Sequence, residues 1–426
     1  MMGMARSRYL FFVEKAVAVL LLIYPTFMLT IKGGMNGVLL FMLLLAFVVW
    51  IVRPIGMSAV AWRPEWTIYA VAMLAMSAAI FISQSYHQNY TAHPHDAASR
   101  YWLVIPVFLL LLRLRPNVFS VLQFAFPVAA IMGLLLAKNY EGRWGLSTLD
   151  LIHFGDFELI LGVLSLFSIG WLCRDKLPMR ILKILGFVAG LTASLASGSR
   201  GGWLAIPVFV VIFIYFKTAR ISHRMIAVAM FGAMLSVILL YSFNHNFYQR
   251  VNELTSDMAM FNQGKRDTST GIRWQLYAAA VDVFLQNPVF GAGPGGFAQQ
   301  MEPMLDAGKV TPIAALFGRG EVHNDILSKS AELGIFGLFA ILALYFAPFS
   351  LFLQATRSRL RQIRRAGILG VTFVSGFFVF GLTVEILDLT MASAFYSFTV
   401  AVLLAACYNI HYSDKSLCIK LEQGRL

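Results

Sequence analysis

Apolar residues run along this chain in long, almost uncharged blocks, and the polar residues between them are confined to short connections, with one exception. A span across a bilayer needs about 20 apolar residues, roughly 17 at the lower end. By that measure about twelve stretches qualify, near residues 12–31, 35–52, 66–82, 101–112, 118–137, 157–173, 181–197, 203–216, 225–243, 326–353, 367–387 and 391–410. The fourth and eighth are short, and Pro25, Pro106, Pro127 and Pro207 lie inside spans, where packed neighbours tolerate a kink. The exception is residues 244–325, which carry Lys, Arg, Asp, Glu, Gly and Pro in the proportions of a soluble protein. The pattern therefore predicts an all-α polytopic membrane protein of four parts: membrane helices over 1–243, a large and partly helical water-facing loop over 244–325, three more helices over 326–410, and a tail over 411–426.

Composition agrees. A chain that is 59% hydrophobic and only 13% charged is far from the balance of a soluble globule. The net charge of +13 would suit nucleic acid, but basic residues beside membrane spans usually set topology, so nucleic acid is not expected as a partner. With the N-terminus inside, the short outer connections hold only Lys32, Arg100, Lys138, Arg143 and Arg200. The inner ones hold clusters such as Arg174, Lys176, Arg180 and Lys183, or Arg357, Arg359, Arg361, Arg364 and Arg365. Both termini and the tail are thus expected in the cytoplasm and the long loop outside. The basic start and the apolar run from Ala16 to Ile31 resemble a signal sequence, but no small-residue cleavage site precedes a soluble domain, so this segment reads as a retained first span. Cys173, Cys407 and Cys418 fall on the predicted inner side and imply no disulfide framework.

The inner connections are too short to fold as a catalytic domain, which directs the search for chemistry outward. Ser197 to Trp203 reads S-G-S-R-G-G-W and joins two spans. Glycines leave its N–H groups accessible where a helix begins, so Ser199, Arg200 and Gly201 form either an anion site or a tight turn with an Arg among lipid headgroups. In the loop, Thr270 to Leu285 has helical period, with Thr270 or Ser269 at its start. Ile272, Leu276, Ala279, Ala280 and Val283 form one stripe, Arg273 falls within it, and Gln275 and Asp282 point away. Arg273 therefore aims at the membrane-facing side of the loop, or snorkels over an apolar surface. Asn287 to Phe297, N-P-V-F-G-A-G-P-G-G-F, lacks the Gly-Lys-Ser/Thr ending of a nucleotide loop and reads as a turn that stops that helix. Val322 to Leu338 re-enters the membrane, with His323 and Asn324 at the start of the tenth span, where Asn324 is expected to contact substrate. His323 is placed as a cap or surface residue, or as a general base.

Other His and acidic residues carry less. His87, His93 and His95 share an outer loop without further ligands at metal spacing, and no outer D-x-D pair suggests a bridged diphosphate, so no metal or other cofactor is expected. Asp150, His153, Asp156 and Glu158 form an acidic outer segment, either a sugar contact or a solvated connection.

Taken together, S-x-S-R-G-G, R-x-x-W, N-P-x-x-G-x-G and H-N-x-x-L followed by E-x-G-x-x-G resemble the bacterial O-antigen ligase superfamily, which also holds O-antigen polymerases and protein O-oligosaccharyltransferases. The motifs occupy Ser197 to Leu338. The resemblance implies a glycosyltransferase of lipopolysaccharide biosynthesis in the inner membrane, active at its periplasmic face. Its donor would be a glycan on undecaprenyl diphosphate and its acceptor lipid A core, both met in membrane lipid, without nucleotide or metal. By position in the motifs, the family's essential basic residues fall on Arg200, Arg273 and His323. A polymerase or protein-glycosylating member is the alternative, and a lipid-linked glycan transporter the rival from another class. Transporters place ionisable groups near the bilayer midplane, whereas these span interiors are almost uncharged.

Overall fold

The apolar blocks fold as helices because a backbone inside lipid must satisfy its own hydrogen bonds. The computed structural model describes residues 2–52, 61–172, 174–216, 223–243, 248–249 and 266–409. Cys173, Cys418, the predicted tail over 411–426 and residues 244–247 and 250–265 of the predicted loop lie outside the described residues.

In chain order the helices are α1 Met2–Thr30, α2 Gly34–Val52, α3 Pro64–His87, α4 His93–Leu111 and, after a 3-10 turn at Pro116–Val121, α5 Leu122–Leu136. A hairpin of β1 Lys138–Tyr140 and β2 Arg143–Gly145 follows, paired antiparallel with Lys138 opposite Gly145. Its two turn residues, Glu141 and Gly142, are both left-handed, which suits the twist of a two-residue hairpin. Then come α6 Leu151–Phe167, α7 Leu177–Ser197, the short α8 Arg200–Trp203, α9 Ala205–Tyr215 and α10 His223–Phe243. The polar region contributes α11 Ser269–Gln286, α12 Gly296–Gln299, α13 Met301–Asp306 and α14 Pro312–Gly318. The chain closes with α15 Asp325–Ala355, α16 Arg361–Gly381, a 3-10 turn at Ile386–Asp388 and α17 Thr390–Tyr408.

Among the described residues, eight helical segments are long and apolar enough to cross a membrane: those ending α1, α2, α3, α5, α7, α15, α16 and α17. With the bundle they form, they define an all-α polytopic membrane protein. Helices also occupy the other four predicted stretches, but α9 is shorter and α4 begins eight residues before the predicted span. His93 and His95 consequently sit in the first turn of α4, where Pro94 favours a helix start, and not in a loop.

Most of α17 is buried, against α4 and α16, and α15 packs on α3 and α16 while α6 packs on α7. The main core runs through these helices, with rings of Phe157, Phe373, Phe377, Phe395 and Tyr396 in mutual contact. A second core lies beside it, made by Leu276, Ala279, Ala280 and Val283 of α11 with Met301, Met304, Ala314, Ala315 and Val322. The predicted stripe of α11 is thus the face that holds this polar region together. Gln275 does not point away from it. Its amide donates to the Arg266 and Gly271 carbonyls and accepts from the Thr311 N–H, so α11 is covered on that flank too by the turn before α14. Thr268, one residue earlier than expected, caps the helix by accepting from the Gly271 N–H.

α15 is not continuous. At Gly334 its backbone turns left-handed, φ 63° and ψ −148°, and the loop after α11 fills the break. Ala292 and Gly293 N–H donate to the Ala331 and Glu332 carbonyls, and Ile335 N–H donates to the Pro288 carbonyl. The glycine-rich stretch therefore does more than stop α11: it satisfies backbone groups that the broken helix leaves open.

Candidate active site

The α7–α8 turn, α11, the start of α15 and β2 surround a cleft of about 420 Å³. Gly198 caps α7 in a left-handed conformation and reverses the chain. Arg200 then begins α8, with Ser199 and Gly201 beside it on the cleft wall. The two following glycines are required by close approach. A Cβ at Gly201 would lie 2.5 Å from the Thr383 hydroxyl, and one at Gly202 would collide with the Asp156 carboxylate. Ser199 hydroxyl donates to Asp156 Oδ1 at 3.2 Å, tying the turn to α6.

Arg273 reaches the same cleft from α11, half-buried beside Ile272 and Ser269. His323 arrives from the far side, on the segment before α15. Its φ is 63°, a left-handed conformation that costs a non-glycine residue of order 1–3 kcal/mol and that the surroundings must hold. Those surroundings are explicit. Val322 N–H donates to the Glu385 carboxylate, and the Tyr277 hydroxyl lies 3.1 Å from the His323 carbonyl and 2.9 Å from that of Leu382. Burial pushes the Tyr277 phenol up, only partly offset by the Arg273 charge, so it stays a donor. On the ring, Nδ1 lies 2.7 Å from Glu321 Oε1, an ion-pair distance at an angle short of a directed hydrogen bond. Burial raises the Glu321 carboxyl, and the close contact with His323 and its charge more than reverse this, leaving it below its ordinary value.

Five of the six expected site residues, Ser199, Arg200, Gly201, Arg273 and His323, meet at the cleft. Asn324 does not line it. Its side chain accepts from the Ile326 and Leu327 N–H groups at 3.0 Å and donates to the Leu382 carbonyl, so it caps α15 and anchors the α16–α17 connection. Two residues were missed. Arg143 of β2 lines the cleft with its Nε donating to the Ser197 carbonyl at 2.6 Å, and Glu321 backs the imidazole. Among the described residues no group of three or more His, Cys, Asp or Glu stands close enough to hold a metal ion. His87 and His95 instead contact the Gly291 carbonyl and the Gln84 amide.

The acidic segment before α6 is not a solvated connection. α6 starts at Leu151, six residues before the predicted span, and carries His153, Asp156 and Glu158 into the bundle, all buried. Asp150 caps it, accepting from Ile152 and His153 N–H and contacting His153 Nδ1. Burial pushes Asp150 up and His153 down, and their mutual contact overrides both, leaving the carboxyl low and the imidazole high. Asp150 then stabilises above its unfolded pKa and His153 below its own, so the pair is strongest between about pH 4 and 6.5. Asp150→Ala is expected to lower stability by about 1 kcal/mol through the lost cap, and by more at pH 5 than at pH 8. Thermal melts in detergent at the two pH values check this; an equal loss at both would remove the ion-pair component.

Fold and site together describe a polytopic helical membrane protein with a basic cleft at one end of its bundle. Residues 185–342, which contain Arg200, Arg273 and His323, match the family model described as O-antigen ligase. The chain is 23% identical over 290 residues to an uncharacterized protein of Haemophilus influenzae, covering 66% of this chain and 71% of that one. It is 24% identical over 170 residues to the O-antigen ligase of Escherichia coli K12, covering 39% of this chain and 40% of that protein. The family-model match and the Escherichia coli relative both support the O-antigen ligase superfamily.

Proposed function

We propose that this protein is an O-antigen ligase, transferring O-antigen polysaccharide from undecaprenyl diphosphate to lipid A-core oligosaccharide at the periplasmic face of the bacterial inner membrane. The reading includes about twelve spans, both termini in the cytoplasm, and the cleft facing the periplasm. The observation that carries it is the convergence of Arg200, Arg273 and His323, from three separate segments, on one cleft.

In this reading the carrier chain lies in the bilayer while its diphosphate meets Arg200 and Arg273, with Arg143 adjacent. Guanidinium groups match phosphate in bidentate fashion and offset charge that grows as the diphosphate leaves. The acceptor hydroxyl oxygen attacks the anomeric carbon from the face opposite the diphosphate. One C–O bond forms, the bond to the diphosphate breaks, and the hydroxyl proton passes to His323. Glu321 offsets the charge then left on the imidazole, as a carboxylate does behind a general-base His. Inversion at the anomeric carbon follows from the single displacement. A lipid diphosphate is already a good leaving group, so no protonating acid is needed, and the guanidinium groups supply the positive charge that a metal provides elsewhere.

The test uses purified protein in lipid with a polyprenyl-diphosphate glycan, lipid A core and EDTA, without nucleotide, with products resolved by mass. Glycan on lipid A core is the expected result, at an undiminished rate in EDTA. Longer glycans left on the carrier would make the protein a polymerase, and the absence of both products would overturn the transferase reading.

A further inference from the structure

A second cavity, of about 220 Å³, opens beside the break in α15 and shares no lining residue with the cleft. Met76 and Ile80 of α3, Ala97 of α4, Leu333 and Leu387 give it apolar walls. Into it project Lys329, Glu332 and Asp388, with His93 at the rim. Lys329 Nζ lies 2.5 Å from Asp388 Oδ1 and 3.6 Å from Glu332 Oε2, and Glu332 Oε1 accepts the Gly295 N–H at 2.8 Å. The glycine-rich loop that mends α15 is also the roof of this cavity.

The charge selects the ligand class. Two carboxylates around one ammonium leave a net negative site, so a phosphate is disfavoured here while the arginine-lined cleft attracts it. Each carboxylate offers about four lone-pair positions, more than the contacts above use, so the site calls for a neutral molecule rich in donors. Apolar walls opposite call for a face of C–H groups. A sugar ring has both. The volume, below the roughly 300–1,000 Å³ of drug-sized sites, suits one such unit rather than a chain.

Position ties this cavity to the reaction. Lys329 and Glu332 stand five and eight residues beyond Asn324 on α15, about 8 and 12 Å along its axis. Glu385 connects the two sites: it accepts the Val322 N–H, next to His323, and the Ser328 hydroxyl, and its carboxyl contacts that of Asp388. We propose that this second cavity binds one neutral sugar unit of the saccharide substrate, apart from the diphosphate and the bond that reacts. The proposal rests on the glycosyl-transfer reading for the origin of that sugar.

The test places a thiol at the rim, His93→Cys, in a chain with Cys173→Ser, Cys407→Ala and Cys418→Ser that is first shown to retain transfer. Labelling by a bulky thiol reagent is timed with lipid-linked glycan, with lipid A core, with sugar-free polyprenyl diphosphate, and with phosphatidylethanolamine vesicles. One saccharide-bearing substrate at ten times its Kd is expected to slow labelling about elevenfold, and the sugar-free lipids not at all. Unchanged labelling in samples where transfer proceeds would overturn the proposal, as would equal slowing by the vesicles, which would assign the cavity to a lipid headgroup. Saccharide released from each lipid is tested alongside: it reports on the cavity even where no transfer occurs, so failure of the ligase reading and failure of this site are separate results.

Discussion

Arg273→Lys and Arg200→Lys are each expected to reduce transfer by about 10²- to 10³-fold, the range seen when one donor to a developing oxyanion is removed. Both substitutions keep the positive charge, so they separate geometry from electrostatics. A lysine ammonium is a point charge on a flexible stem and cannot present two parallel N–H groups to a phosphate. Arg273 is poised to do so because α11 is fixed by its own small core and Arg273 projects from the edge of that buried face. Arg200 is poised because Gly201 and Gly202 seat α8 directly on Thr383 and Asp156. Neither substitution touches a core, so melting temperatures should hold while single-turnover rates fall. Because the two side chains line one cleft, the double variant should lose less than the product of the single losses. Near-normal transfer by both Lys variants would remove the diphosphate clamp from the mechanism.

How far the chain could be read in advance depends on where the determining contacts lie. Helices came through because burial in lipid imposes long apolar runs, and Arg273 stood out because a charge inside an apolar stripe is locally anomalous. Arg200 and His323 were marked by neighbours in sequence, the glycine turn and the helix start. Arg143 and Glu321 left no such mark. Arg143 in a short hairpin is indistinguishable from an ordinary outer-side charge until β2 packs onto the Ser197 carbonyl. Glu321 is two residues before His323 and would point to the opposite side on a regular helix; the chain is not helical there, and beside the left-handed turn at His323 the carboxylate meets the ring. The break at Gly334 was hidden for the same reason. E-L-G-I reads as unbroken helix, and the hydrogen bonds that compensate the break come from residues more than 35 positions earlier.

That left-handed turn makes His323→Gly the most informative single substitution. Loss of the proposed general base should lower transfer by about 10²- to 10⁴-fold. The backbone, however, should relax, since glycine adopts φ 63° without the strain that a side chain meets there. The relieved strain is expected to offset part of what the lost Glu321 contact costs, so His323→Gly should melt higher than His323→Ala, which loses the same activity and the same contact but keeps the strained backbone. Equal activity losses in two variants of different stability cannot be assigned to misfolding. The pH profile completes the argument. Glu321 is held low, so its contribution is present above the unfolded carboxylate pKa near 4.3 and fades only as pH falls through its lower folded value. Between about pH 6 and 8, where an imidazole is the side chain expected to change charge, Glu321 stays ionised and does not titrate. A base at His323 then requires single-turnover transfer to rise across that window in the wild type, and the rise to vanish in His323→Gly. A wild-type rate that falls across the window would sink the base and leave His323 as a cationic phosphate ligand.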